Sequence, residues 1–320
     1  MFVALLTLLA CDPGAAPAPP GAPETVFEVP KGASARGLGD DLAAAGLVAS
    51  ESAWTWFLRM GADGSCIKAG KHKVSPSMDG TALLAALCGA PIPDEVPFTI
   101  VEGWRIRDID AALAAAGRIT PGQYAAAAER ASSYTASFPL PEGTLEGYLY
   151  PETYNVPASG MDPRQLVQRQ LDTFGSRFFQ VEGKDLGGRS LHEVVTMASL
   201  LEREEPKPEN RPLVAGILWK RIRSDWELGV DATSRYTLDD WNDRAAFMKK
   251  LRDPKDPWNT RLKKGLPPTP IGNPTVNSLV AAKNPVESAY WYYLHDSTKT
   301  LHPARNVKEH EAFRKKYDVY

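Results

Sequence analysis

Residues 29 to 47, VPKGASARGLGDDLAAAGL, and residues 100 to 118, IVEGWRIRDIDAALAAAGR, carry one pattern twice. Sliding the first onto the second places Gly32 on Gly103, Arg36 on Arg107, Leu38 on Ile109 and one LAAAG on the other. Each copy opens with a short β-branched run, turns at a glycine, and ends an amphipathic helix at Gly46 or Gly117, a residue type that stops helices. Two copies are too few for a solenoid, so the repeat predicts two small α/β modules in series. The chain as a whole is expected to be α+β.

The first module continues through a helix around AWTWFLRMG, a strand near GKHKV and a helix in DGTALLAALCG, where Leu83, Leu84 and Leu87 recur at helical spacing. Three prolines in APIPDEVP mark a boundary near residue 94. Beyond it, TPGQYAAAAERA and DPRQLVQRQLDTF are helical stretches, each with a capping residue ahead of a proline at the first helical position. EGTLEGYLYPETYNVP, between them, is expected to be irregular. MKKLRDPKDP and RLKKG are solvated faces, or contacts for an anionic polymer.

The N-terminal MFVALLTLLA is ten residues long, far short of the roughly 20 needed to span a bilayer. Residues 1 to 11 are therefore expected to be a signal or anchor segment, although a positively charged start is missing. LLAC resembles a lipoprotein cleavage box with Cys11 as the lipidated residue, but Leu9 stands where a small residue is usual. Residues 12 to 25, rich in Pro and Ala, are expected to form a tether. Cys66 and Cys88 either form a disulfide in an oxidising compartment or are two small buried residues. His72, His192, His295, His302 and His310 are scattered without zinc spacing, so neither a metal nor a cofactor is expected. A net charge of -2 over 320 residues gives no electrostatic reason to bind nucleic acid.

SLLEREEP, Ser199 to Pro206, sets three acids where a helix is about to stop, although the carbonyl end of a helix disfavours anions. Ser190 and Glu193 have capping-box spacing for the start of this helix, and Pro206 is its natural stop. Leu191, Val195 and Ala198 form one stripe, and Glu202 is its next member. Desolvation, neighbouring acids and the helix end all predict that Glu202 favours its protonated form, with Arg203 rotated away from it. Such a group is suited to general-acid work on an acetal. The plain alternative is an acidic helix end frayed into solvent.

VEGWRIRDI, LEGYLYPETY, ASLLEREEPKPENRPLVAGILWKRI, LGVDATSRYTL, WNTRLKKGLPPTPIGNP and SLVAAKNP occur in this order between residues 101 and 285, and HPARNVKEHEAF closes the chain. In these motifs the sequence resembles the bacterial endolytic murein transglycosylases of the MltG/YceG-like type. The resemblance implies a small LysM-like α/β module at 26–94 and a larger mixed α+β, YceG-like catalytic domain at 95–320. VDAT, at 230 to 233, departs from the family pattern, in which a proline commonly follows the aspartate.

By the same resemblance, Glu202 would be the catalytic acid and then base. Glycan strands would be cut internally at the β-1,4 bond from N-acetylmuramic acid to N-acetylglucosamine, leaving 1,6-anhydro ends and terminating or releasing nascent strands. Glu146, Tyr148, Tyr150, Glu152, Asp231, Asn259 and Thr260 would bind substrate, and Glu204 would modulate Glu202. Trp104, which replaces Ala33 of the first repeat, is a sugar platform or a core aromatic. The expected partners are peptidoglycan strands, wall synthases of the penicillin-binding class, and the cytoplasmic membrane through the N-terminus, with the protein in the cell envelope. Two other readings stand beside this one. The protein is a non-catalytic wall-binding scaffold, or it is a hydrolytic muramidase in which Asp231 or Glu146 faces Glu202.

Overall fold

The structure is a computed structural model that describes residues 14–319 apart from 93 and 159. Cys11 and the expected anchor segment lie outside these residues. The fold is mixed α+β, and the chain divides into two compact units between Asp94 and Glu95. Among the described residues the strands form three separate antiparallel pairs.

In the first unit β1 (Thr25–Val29) pairs with β2 (Gly70–Val74), so that Phe27 faces His72 across the ladder. Helices α1 (Gly39–Ala44), α2 (Glu51–Arg59) and α3 (Gly80–Cys88) cover it, and Leu38, Leu42, Trp54, Val74, Leu83 and Leu87 form its core. Trp54 is buried and donates its indole N–H to the Ala35 carbonyl at 2.7 Å, whereas Trp56 is exposed. Cys66 and Cys88 form a disulfide that joins the turn before β2 to the end of α3. Residues 14–24 contain no helix or strand. They are nevertheless attached to the unit: Ala18 donates its amide to the Pro76 carbonyl and Ser75 donates its hydroxyl to the Ala22 carbonyl.

The second unit opens with β3 (Glu95–Thr99) and α4 (Ile106–Ala115), the second copy of the repeat. The two copies end alike. Gly46 and Gly117 both have φ +69°, and the amides of Leu47 and Arg118 reach back to the carbonyls of Leu42 and Leu113. This is the bonding of a Schellman stop.

Helix α5 (Gln123–Ala128) corrects one expectation. Its cap is Gly122 and not Thr120, so Pro121 lies outside the helix. The capping work comes from α4 instead: the Asp110 carboxylate accepts from the amides of Gly122, Tyr124 and Ala125. The segment expected to be irregular ends in a strand, β4 (Thr153–Pro157), because its alternate residues Tyr154 and Val156 face the core while it pairs with β3. Helix α6 (Pro163–Phe174) begins as expected, with Asp162 capping ahead of Pro163. A π-helical turn, Gly175–Phe179, then leads into a last short turn, α7 (Gln180–Glu182).

Helix α8 (Leu191–Glu204) is the centre of this unit. The Ser190–Glu193 capping box is formed in both directions. The helix was expected to be amphipathic, with Glu202 extending one apolar stripe. Instead, every residue from Val194 to Leu201 is buried, on all sides of the helix, as befits an element inside a core. Helices α9 (Arg211–Arg223) and α12 (Val276–Lys283) pack on it, and α10 (Asp231–Arg235) touches it. Helix α11 (Arg244–Lys250) follows α10, and the hairpin β5 (Tyr292–His295) and β6 (Leu301–Ala304) is backed by α13 (Val307–Tyr317). No helix among the described residues is long and apolar enough to cross a membrane.

Candidate active site

Each acid in SLLEREEP has its own partner. Glu205, fully buried at the cap of α8, accepts from the Lys207 amide at 2.8 Å and lies 2.9 Å from the His295 ring in β5. Glu204 accepts from the Tyr293 hydroxyl at 3.1 Å, and burial holds its carboxyl above the usual range against that bond. Arg203 stacks its guanidinium 4.1 Å over the Trp241 ring and lies against Gly103. The frayed, solvated helix end is therefore excluded.

The Glu202 side chain is enclosed, at 3% exposure. Arg211, in the first turn of α9, forks across it, with Nη2 to Oε1 at 3.0 Å and Nη1 to Oε2 at 3.3 Å. The same guanidinium donates from Nε to the Glu205 carbonyl at 2.9 Å, satisfying one of the orphan acceptors at the end of α8. This corrects the expectation that Glu202 is opposed by no cation except Arg203, rotated away from it: Arg211, nine residues downstream, is in contact.

The opposite side of Glu202 faces α12. Thr275 donates both its amide and its hydroxyl to Oε2, each at 2.8 Å. Thr275 holds the N-cap position of α12, yet its side chain makes no capping bond to its own helix. A threonine at that position ordinarily contributes about 1 kcal/mol by capping. Here its hydroxyl is directed to Glu202. The next amide, Val276 N–H, points to the Tyr150 hydroxyl at 3.4 Å. The carboxylate at the negative end of α8 thus sits at the positive end of α12, which resolves the conflict seen in the sequence.

Thr275 is carried by a loop tied down at three points. The Ile271 amide donates to Ser199 Oγ, one turn before Glu202 on α8. Asn273, fully buried, accepts at Oδ1 from the amides of Gly147 and Leu149 and donates from Nδ2 to the Trp104 carbonyl. The Gly103 amide donates to the Asn273 carbonyl at 2.8 Å. Gly272 lies so close to Gly103 that a Cβ there would stand 2.3 Å from the Gly103 carbonyl oxygen. Trp104 itself is half-buried and packs against the core.

The other residues singled out in the sequence fall into separate groups. Tyr150 is brought to Glu202 through the adjacent amides of Thr275 and Val276. Glu152 is partly exposed and pairs with Arg177 at 2.6 Å. Glu146 is buried under α4, accepting from the Ile106 amide and the Tyr236 hydroxyl at 3.2 Å each. Burial raises its pKa to about 7, against the pull of those two bonds.

Tyr148 is 1% exposed, with its ring among Phe138, Phe174 and His192, so it is a core aromatic and does not line a surface. Asn259 is fully buried and donates to the carbonyls of Lys250, Leu251 and Asp253, closing the end of α11. Thr260 is buried against the Val230 amide and Thr233, fixing the start of α10. Asp231 is half-exposed and pairs with Arg261 at 2.6 Å.

Arg211, Thr275 and Asn273 were missed in the sequence. Thr275 had a readable signal, since Asn-Pro-Thr ahead of an apolar run is a helix start. Arg211 had none. No group of His, Cys, Asp and Glu among the described residues is arranged to hold a metal ion.

Comparison with known proteins is consistent over nearly the whole chain. The YceG-like family model matches residues 27–316. The chain is 26% identical over 308 residues to the endolytic murein transglycosylase of Bacillus subtilis, covering 91% of this chain and 84% of the relative. It is 24% identical over 315 residues to the endolytic murein transglycosylase of Streptococcus pneumoniae, covering 88% of this chain and 56% of that longer relative. The crystal structure of a yceG-like protein from Listeria monocytogenes shares the fold, with a TM-score of 0.55 at 23% identity over 91% of this chain and 99% of that one.

Proposed function

Because the chain belongs to the YceG-like family, we propose that it is a peptidoglycan lytic transglycosylase in which Glu202 is the single acid and base. The observation that carries this reading is the enclosure of Glu202: one carboxyl, 3% exposed, held by Arg211 and Thr275, with its acidic neighbours each committed elsewhere.

In the proposed reaction Glu202 gives its proton to the glycosidic oxygen as the bond from the muramic C1 to that oxygen breaks. The 6-hydroxyl of the same muramic residue attacks C1 and passes its proton to Glu202, which regenerates the acid. No water is consumed, and the product is a 1,6-anhydro end. Every partner of Glu202 is a donor, so the Arg211 fork and the two Thr275 groups suit the carboxylate that stands between the two transfers, and the proton for the first transfer is acquired before the sugar is cleaved. Exclusion of water favours capture by the internal hydroxyl over hydrolysis. A hydrolytic mechanism would recruit a second carboxylate across the bond. Asp231 and Glu146, the residues suited to it in sequence, are turned to Arg261 and to the Ile106 amide.

The proposal extends to context. The first unit would serve as a LysM-like wall-binding module, residues 1 to 11 as an envelope anchor with Cys11 as the lipidation candidate, and synthases of nascent strands as partners. Digestion of purified sacculi with end-group mass spectrometry tests the chemistry. Anhydro-muropeptides are expected, absent with Glu202→Gln; reducing ends would indicate a hydrolase, and binding without release a scaffold.

A further inference from the structure

Arg203 follows Glu202 on α8 and leaves the helix about 100° around from it. Its guanidinium is partly buried and stacked 4.1 Å over the Trp241 ring. The Nε is shut off from solvent without an acceptor, and no carboxylate among the described residues pairs with the head group.

The two arginines beside it are saturated. Arg105 forks onto Asp108 and gives its remaining nitrogen to the Tyr236 and Leu238 carbonyls. Arg211 is divided between Glu202, the Glu205 carbonyl and Thr275. The acids whose charge reaches Arg203 are engaged as well: Asp108 by Arg105, Glu146 by the Ile106 amide and Tyr236, Glu202 by Arg211 and Thr275.

A cation taken out of water without a partner destabilises a fold, and burial pushes this guanidinium below its usual range. The fold nevertheless makes room for it. A Cβ added at Gly103, which has φ +74°, would stand 3.2 Å from Arg203 Nε. Stacking on Trp241 offsets part of the desolvation. It also keeps the N–H edge of the guanidinium plane available, the edge that grips a carboxylate bidentately. The acid is close by, because Gly103 gives its amide to the Asn273 carbonyl and Thr275, two residues on, holds Glu202. Arg203 and Glu202 thus meet the same loop.

We propose that Arg203 binds a carboxylate carried by the glycan substrate, and so selects strands that bear free acid groups near the bond cleaved at Glu202. The proposal rests on the transglycosylase reading above. Murein offers such a group from two sources, the lactyl carboxyl of a muramic residue stripped of its peptide and the carboxyls of an intact stem peptide. Arg203 touches no reacting atom, so it sets affinity and choice of strand.

The experiment measures wild type, Arg203→Met and Arg203→Lys on two substrates, peptide-bearing sacculi and the same strands stripped by an amidase. Each substrate is used as isolated and after its carboxyls are amidated with carbodiimide and ammonia. For wild type, amidation should raise KM about tenfold on at least one substrate, the loss of a charge-assisted bond, and the substrate that responds identifies the source. Arg203→Met should show the raised KM on unmodified strands and no further change on amidation, with Arg203→Lys in between. A purely packing role would weaken activity on free and amidated strands alike and leave the preference in place. Equal wild-type KM for free and amidated strands on both substrates, or a wild-type preference kept in Arg203→Met, would overturn the carboxylate site while leaving the reaction intact. The wild-type comparison needs no variant, so it decides the matter even where Arg203→Met does not fold. Absence of anhydro ends with wild type would remove the transglycosylase reading, and the site with it.

Discussion

Thr275 gives both of its donors to one oxygen of Glu202, its amide and its hydroxyl each at 2.8 Å from Oε2. A side chain in the cap position of α12 therefore serves the last turn of α8. Loss of the hydroxyl alone, in Thr275→Val, removes a bond to a charged group worth roughly 1.5–3 kcal/mol. The expected result is a fall in kcat of about ten- to a hundredfold, with Thr275→Ser close to wild type, read by the rate of anhydro-end formation.

Glu202 and Arg211 are buried together, with side-chain exposures of 3% and 6%. Glu202→Gln leaves an unpaired guanidinium in the interior, a change that costs about 3–5 kcal/mol. Adding Arg211→Met should return much of that stability in a urea melt while activity stays absent. Activity regained by the double variant would show that the glutamate is not the acid.

Glu146 carries a stability signature. Its carboxyl titrates near 7 in the fold and near 4.3 in an unfolded chain. A raised value means that the folded state binds the proton more tightly, so the contribution is complete below the unfolded value and is lost as pH rises through about 7. Over that window wild type should lose up to about 3 kcal/mol more than Glu146→Gln. Parallel melts between pH 4.5 and pH 8 measure the difference, and equal slopes would contradict it.

Two glycines with nearly the same φ separate conformational cost from packing cost. Gly143 has φ +90° and open space where a Cβ would stand, whereas at Gly147, with φ +88°, an added Cβ would stand only 2.5 Å from Pro270 Cβ. Gly143→Ala should cost about 1–2 kcal/mol. Gly147→Ala adds overpacking beneath the loop that presents Thr275, for a total of roughly 2–5 kcal/mol. Denaturant midpoints of the two variants compare the costs directly.

Local rules made much of this molecule legible. The paired LAAAG stops, the Ser190 capping box and the Asp162-Pro163 start depend on neighbours within a few residues, and all form as their residues dictate. The same rules misplaced the start of α5, because its capping oxygen comes from Asp110 on another helix. Periodicity led to Glu202 through a stripe that the fold does not use as a face, since α8 is buried all round. The contacts of that carboxylate come from residues nine and seventy-three positions away, and no local pattern encodes where a loop will lead. Tyr148, Asn259 and Thr260 lie in segments rich in polar and turn-forming residues, the composition expected of a binding surface. In the fold they fill the core or satisfy buried backbone groups.

The end of α8 is completed late in the chain. Glu202 is translated well before Thr275, and Glu204 and Glu205 wait for Tyr293 and His295 in the closing hairpin. A polypeptide still emerging from its ribosome therefore holds Glu202 with Arg211 in reach but without Thr275, and Glu204 and Glu205 without their partners in the hairpin. Only after nearly the full length has emerged is that helix terminus complete.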